Sequence, residues 1–250
     1  MDVEVVATDL GSLPGGGFEE QTPIFRSSQS LLDAAMHDAR GYLDLSFDDK
    51  FAFQVDGVIS QSESERLITF TEEMGFREAA PGIQTPPGMR QNTTVHWMVH
   101  PKDAELLYAR IASFVPDVLE GRDSMRALSH RFNTYRYTTG QQFRPHLDGD
   151  WPGYYVNSKT QQLEYWKTGR SMLSMLLYLN GHDQGVVGGD TLLLDKGAVA
   201  QRIKPLCGRA LFFRHGIHPT SVLHAGDILG DGTAKYVIRI NVMYQSETID

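Results

Sequence analysis

Within Phe143-Arg144-Pro145-His146-Leu147-Asp148-Gly149 an imidazole and a carboxylate stand two positions apart in a stretch that reads as extended. Side chains alternate faces along a strand, so His146 and Asp148 point to the same side. With a second imidazole from elsewhere in the chain, the three groups would take one face of an octahedral metal and leave three positions open. His215, His218 and His224 cluster towards the C-terminus and are the candidates for it. His224 stands ahead of the turn Gly230-Asp231-Gly232, after which Lys235, Val237, Arg239 and Asn241 share one face of a strand and Tyr236, Ile238, Ile240 and Val242 the other. The two cations either face water or line the inside of a closed sheet, where each is costly unless an anion pairs with it.

The elements that would position these groups are mostly strands. From Arg131 the apolar period is two: Phe132–Tyr137, Gln142–Leu147, Met172–Leu179, Thr191–Leu194, Ala198–Ile203, Ala210–Phe213 and Tyr236–Tyr244 are candidate strands, with Gly and Asp between them. Many short strands with little helical period predict a sandwich or jelly roll rather than an α/β sheet. Upstream, Ser60-Gln61-Ser62-Glu63 has the form of a capping box, and the helix it starts carries Leu67, Ile68, Phe70 and Met74 before Gly75 ends it. Pro101 opens a second helix bearing Leu106, Leu107 and Ile111. Phe51–Val55 and Val95–Val99 read as strands, Ser30–Tyr42 as a helix, and residues 1–28, with their Gly and Pro, as a loosely packed lead-in. The connection from Gly149 to Gly169 is long enough for a lid, and Trp151, Tyr154, Tyr155, Tyr165 and Trp166 would either cover a substrate or pack the loop onto the barrel.

Composition narrows the partners. The balance of 23 Lys+Arg against 31 Asp+Glu, a net charge of -8, argues against nucleic acid and against an anionic membrane surface. The apolar run near Met172–Leu179 is too short to cross a bilayer. Cys207 is the only cysteine and the N-terminus is acidic, which predicts a cytoplasmic protein without intrachain disulfides.

Five ordered blocks carry a resemblance. They are Tyr135-Arg136-Tyr137-Thr138-Thr139-Gly140-Gln141-Gln142-Phe143 through His146-Leu147-Asp148-Gly149; Leu176-Leu177-Tyr178-Leu179-Asn180; Gly188-Gly189-Asp190-Thr191; Gly208-Arg209-Ala210-Leu211-Phe212-Phe213; and His224-Ala225-Gly226 through Lys235-Tyr236-Val237-Ile238-Arg239. Over Tyr135–Tyr244 the chain resembles the Fe(II)- and 2-oxoglutarate-dependent dioxygenases of the prolyl 4-hydroxylase type, and Phe53–Phe76 resembles the strand and helix preceding their core. Asp190 replaces the Glu of that pattern, and Lys235 follows His224 by eleven positions where ten is common.

The resemblance implies a mainly β protein with some α, a double-stranded β-helix (jelly roll) core flanked by N-terminal helices. Residues 1–45 would be an N-terminal extension and 46–250 the dioxygenase domain, with its catalytic core at 131–245. It implies metal ligands His146, Asp148 and His224, with His218 in reserve, and 2-oxoglutarate held by Lys235, Arg239, Tyr137 and Tyr178. Asp150 is expected in the loop beyond the ligand strand. Arg90, Asn92, Arg131 and Trp151 are candidate substrate contacts by placement.

Fe(II), 2-oxoglutarate and O2 are the implied cofactors, with ascorbate as a candidate accessory. The implied chemistry is oxidative decarboxylation to succinate and CO2 coupled to hydroxylation of an unactivated C–H, on a small molecule or on a protein side chain such as proline. A ligand carboxylate, rather than Gly or Ala, favours oxygenation over halide transfer. Two alternatives stay open: a non-catalytic jelly-roll metal-binding or sensing protein, and an enzyme of the same kind ending in desaturation or cyclisation.

Overall fold

In the computed structural model, which describes residues 3–34 and 39–246, the alternating stretches after Arg131 pair into two sheets. The strands in chain order are β1 (Val3–Ser12), β2 (Phe18–Ser27), β3 (Arg40–Asp44), β4 (Ala52–Asp56), β5 (Ala80–Pro81), β6 (Thr93–Met98), β7 (Val118–Leu119), β8 (Arg122–Leu128) and β9 (Arg131–Tyr137). They continue with β10 (Phe143–His146), β11 (Tyr154–Val156), β12 (Leu163–Tyr165), β13 (Gly169–Tyr178), β14 (Thr191–Asp195), β15 (Ala198–Ile203), β16 (Ala210–Arg214), β17 (Leu223–Gly226) and β18 (Lys235–Gln245). The helices are α1 (Gln61–Met74) and α2 (Pro101–Ile111).

The large sheet runs β3-β4-β16-β13-β18-β9-β6-β2-β1-β5, and a smaller sheet runs β10-β17-β14-β15. Together β9, β13, β16 and β18 and the four strands of the smaller sheet make a double-stranded β-helix. Its interior holds Tyr135, Tyr137, Phe143, Leu176, Leu193 and Val237 among its apolar residues. The outer side of the large sheet is covered by the two helices. Leu67 and Phe70 of α1 and Leu107 and Ile111 of α2 join Phe132, Ile238, Ile240 and Val242 in a second apolar cluster. The central strands of the large sheet are therefore buried on both sides, which is why β18 shows one exposed residue in eleven.

The helices form where their signals stand. Ser60 Oγ accepts the Glu63 N–H and the Glu63 carboxylate accepts the Ser60 N–H at 2.8 Å, a reciprocal cap. The Glu63 carboxylate also takes the Arg110 guanidinium, at 2.8 Å, in a fully buried pair that ties α1 to α2.

Two expectations are overturned. The lead-in is a paired hairpin: β1 and β2 are antiparallel neighbours, and β2 adds parallel to β6 with Ile24 opposite His96. Its Gly and Pro residues mark a turn, in which Gly16 and Gly17 take φ of +94° and +86°. The helix expected over Ser30–Tyr42 is absent from the described residues. The Asp103 carboxylate takes the Leu31 N–H at 2.7 Å and the Leu32 N–H at 3.3 Å, and Arg40–Asp44 is strand. Side-chain capture of those two donors competes with the helical ladder. Residues 35–38 of that stretch lie outside the described residues.

Candidate metal centre and its cavities

Because β10 and β17 are antiparallel neighbours with His146 opposite His224, their imidazoles lie side by side, ring centroids 4.2 Å apart. Phe143 stacks on His146 at 3.7 Å and Phe213 leans on His224 at 4.3 Å, so both rings have fixed planes. The Nδ1–H of His146 donates to the Arg144 carbonyl at 2.8 Å and that of His224 to the Val222 carbonyl at 3.2 Å. This tautomer presents both Nε2 lone pairs inward.

Asp148 lies two residues beyond the end of its strand, since β10 stops at His146. Its carboxylate is aimed instead by its neighbours. Arg239 Nε donates to Oδ2 at 2.7 Å and Ser174 Oγ at 2.5 Å, while the Gly216 N–H holds the Asp148 carbonyl at 2.8 Å. The two Nε2 atoms then stand 3.7 and 3.8 Å from the Asp148 oxygens, and the three ligand atoms lie within 4.8 Å of one another.

Protonation suits a cation. Burial, and then His146, push His224 down to about 3, and burial lowers His146, so both imidazoles are neutral at pH 7. Burial opposes ionisation of Asp148, but Arg239, with the Ser174 hydroxyl, outweighs it and holds the carboxyl well below its usual range. Two neutral nitrogens and one carboxylate on one side of a cavity are a donor set that fits Fe(II).

A buried relay supports the carboxylate. Since Ser174 Oγ donates to Asp148, it accepts from His215 Nδ1–H at 2.8 Å; His215 Nε2 then accepts from Ser171 Oγ at 2.9 Å, and Ser171 accepts the Trp151 N–H at 2.9 Å. Burial, then Arg239, press His215 down to about 3, so it stays neutral, as this directional chain requires. His218 is elsewhere, half-exposed and 3.4 Å from Glu120, outside the ligand group.

Behind the triad is a cavity of about 30 Å³, lined by Tyr137, Thr191, Lys235, Val237 and Arg239 along with the ligands. Lys235 donates to the Gly189 carbonyl at 2.6 Å and sits 4.3 Å over the Tyr137 ring; burial pushes its pKa down to about 8. The two cations are thus parted: Lys235 lies away from the ligands, whereas Arg239 is engaged with Asp148. Tyr178 is fully buried and its hydroxyl donates to Thr191 at 2.7 Å, so it reaches the cavity through that residue.

In front of the triad a larger cavity of about 400 Å³ is bounded by Ile83, Met89, Leu147, Asp148 and Trp151. Trp151 also lines a smaller recess with Arg131. Arg90 and Asn92 stand apart from these spaces. Arg90 donates to the carbonyls of Asn92 at 2.7 Å, Ser12 at 3.1 Å and Glu78, and so anchors the N-terminal hairpin. Asn92 Oδ1 accepts from the same guanidinium at 3.3 Å.

The long connection after Gly149 is itself structured. It contains the β11–β12 hairpin, Tyr155 and Trp166 stack at 6.2 Å, and Asp150 pairs with Arg170 at 2.7 Å. Of its aromatics, Trp151 and Tyr154 line the recess. Ser174 and Asn133 were not among the residues the sequence singled out, and His215, Thr191 and Asn241 were named there without these roles. Their signal was present only as polar side chains at inward positions of otherwise apolar strands.

Residues 132–243 match the family model described as the 2OG-Fe(II) oxygenase superfamily. Among solved structures, the chain is similar to a viral collagen prolyl hydroxylase from Paramecium Bursaria Chlorella virus-1 in complex with 2OG. The two are 18% identical over 78% of this chain and 96% of that one, with a TM-score of 0.51. A Trichoplax adhaerens prolyl hydroxylase in complex with a hypoxia inducible factor peptide fragment is 16% identical over 75% of this chain and 78% of that one, with a TM-score of 0.49. A Pseudomonas putida prolyl-4-hydroxylase is 17% identical over 78% and 92%, with a TM-score of 0.46. Among curated proteins, none matches the chain.

Proposed function

We propose, from the premise that the chain belongs to the 2OG-Fe(II) oxygenase superfamily, that it hydroxylates an unactivated C–H, with His146, Asp148 and His224 as the ligands of its Fe(II). The observation that carries this reading is the convergence of these three donors, tautomers set, beside a cavity into which Lys235 also faces. The bound iron would supply the oxidising chemistry at the three positions the protein leaves open.

The chain's own residues do the rest. Lys235 is the anchor for the distal carboxylate of 2-oxoglutarate, and Tyr137 and Thr191 line its path. Arg239 and Ser174 hold Asp148 so that one oxygen stays turned to the imidazoles. Arg131 and Trp151 lie on the substrate side. The reaction balances as substrate C–H plus 2-oxoglutarate plus O2 giving substrate C–OH, succinate and CO2. Residues 1–45 serve as an extension of the 46–250 domain, reinforcing the large sheet at both ends. Among the described residues no helix is long and apolar enough to cross a membrane; the single cysteine, Cys207, supports a reducing, cytoplasmic setting.

The test is succinate release by the purified enzyme. It should require Fe(II), 2-oxoglutarate and O2 together, and Asp148→Ala and His146→Ala should each reduce it by about a hundredfold or more. Failure of 2-oxoglutarate to bind, with no succinate under any condition, would end the hydroxylase reading and favour a non-catalytic metal protein.

A further inference from the structure

The inward side chains of β9 and β18 turn polar at the end of the barrel nearest Trp151. Arg131 and Asn133 lie on β9, Arg239 and Asn241 on β18, with Asn133 and Arg239 directly opposite each other. Under Trp151 and Tyr154 they line a recess of about 20 Å³, which shares Ile83, Trp151 and Arg239 with the 400 Å³ cavity in front of the triad.

This recess is left chemically incomplete. Asn133 and Asn241 are 7% and 8% exposed, yet the Oδ1 atom of each has no hydrogen-bond partner, and neither has Arg131 Nε. Buried polar atoms are ordinarily satisfied, so three unsatisfied ones around one small space point to a ligand that completes them. The amide oxygen and nitrogen can exchange places, so each Asn can turn a donor to that ligand.

Charge then selects the ligand. Arg131 gives one nitrogen to the Pro81 carbonyl at 2.7 Å and to His96 Nδ1 at 3.0 Å, and it stacks on Tyr154 at 5.3 Å, but it has no ion pair among the described residues. Of the nearby carboxylates, Asp148 is paired with Arg239, and Asp9 is exposed and attracts Arg131 without making an ion pair with it. Burial and then Arg131, Arg90 and Arg239 hold the buried His96 well below the usual imidazole range, so it adds no charge of its own.

Resting on the hydroxylase reading above, we infer that the substrate carries its own carboxylate, seated against Arg131 and the two Asn amides, while the carbon to be oxidised lies in the larger cavity facing the triad. A planar guanidinium suits a carboxylate with paired hydrogen bonds. A prolyl residue inside a polypeptide has neutral amides on both sides and would leave the part-buried Arg131 without an anion. The substrate class is therefore a free amino acid or small organic acid.

The test offers the Fe(II)-loaded enzyme free L-amino acids and simple carboxylic acids, each beside its primary amide, together with N-acetylated, C-amidated proline-containing hexapeptides. Succinate release above the substrate-free rate and a gain of one oxygen in product mass are read. At least one free acid should be hydroxylated, with its amide about 100-fold poorer in kcat/KM. Arg131→Met should collapse that acid-to-amide ratio to near unity, and Arg131→Lys should keep part of it. The inference is overturned if amides or capped peptides match the acids, if no acid is hydroxylated, or if the ratio survives in Arg131→Met. Substrate-free succinate release separates these outcomes from failure of the hydroxylase reading. The wild-type ratio decides the matter even where a variant does not fold.

Discussion

Lys235→Met keeps the reach of the side chain and removes a charge that the barrel buries to 1% exposure. The ammonium has one neutral acceptor, the Gly189 carbonyl at 2.6 Å, and burial moves its pKa from 10.5 to about 8. That difference, roughly 2.5 units, is a standing cost of about 3 kcal/mol to the ligand-free fold at neutral pH. The cost is present in full below pH 8 and is relieved as pH rises from 8 towards 10.5, where the unfolded chain holds the proton that the folded one has released.

Ligand-free Lys235→Met should therefore melt above wild type at pH 7, with the gap closing towards pH 10. Binding of 2-oxoglutarate runs the other way. A carboxylate beside Nζ restores the lysine's ordinary pKa, so binding takes up a proton near pH 8. The wild-type Kd should weaken by about tenfold between pH 7 and pH 9. Removing one partner of a buried charge pair costs about 2–5 kcal/mol, so Lys235→Met should bind 2-oxoglutarate about 30-fold or more weakly and lose the pH dependence. Calorimetry on Mn(II)-loaded protein in buffers of different ionisation enthalpy measures affinity and proton uptake together. A Lys235→Met affinity within about threefold of wild type, or a wild-type affinity flat across that range, would refute the assignment and move the anchor to Arg239.

Ser174→Ala cuts the relay that holds Asp148 Oδ2 at 2.5 Å and should weaken metal binding about 10- to 100-fold, read by competition with a fluorescent chelator; an unchanged affinity would show the relay to be dispensable. Arg110→Met strips the partner from a fully buried Glu63 and should destabilise the fold by about 3–5 kcal/mol in urea, whereas the double variant with Glu63→Met should recover part of that loss. A double variant no better than the single one would contradict the account of α1–α2 docking.

How far the chain could be read from sequence depended on how local the cause of each element is. The capping box at Ser60 and the two-residue alternation of β18 are local, and both stand in the structure. The four-residue strand β17, which carries His224, has no such pattern. It exists because β10 and β14 pair with it on either side, His224 lying opposite His146 and Leu193. The N-terminal hairpin was hidden because Gly11 to Gly17 look the same in a turn as in a loose tail, and only the β2–β6 pairing distinguishes them. The segment at Leu31 and Leu32 follows the Asp103 carboxylate, 71 to 72 residues away, which no window of local sequence contains. The relay through His215 and Ser174 was missed for the same reason, since its members meet only when β13 and β16 pair.

The arrangement also explains how this chain keeps five cationic or amide groups inside a barrel without losing the fold. Along β18 the residues facing the helices, Ile238, Ile240 and Val242, are fully buried and apolar, and those facing the barrel are Lys235, Val237, Arg239 and Asn241. On β9 the outward positions are Phe132 and Thr134, the inward ones Arg131, Asn133, Tyr135 and Tyr137. Stability is drawn chiefly from the outer face and chemistry is placed on the inner one, within the same strands. A one-residue slip of β18 against β9 would exchange the faces, carrying Lys235 and Arg239 under the helices and Ile238 into the cavity. The hydrophobic helix interface therefore does more than stabilise the fold: it fixes the register that brings Lys235 opposite Tyr137 and Arg239 opposite Asn133.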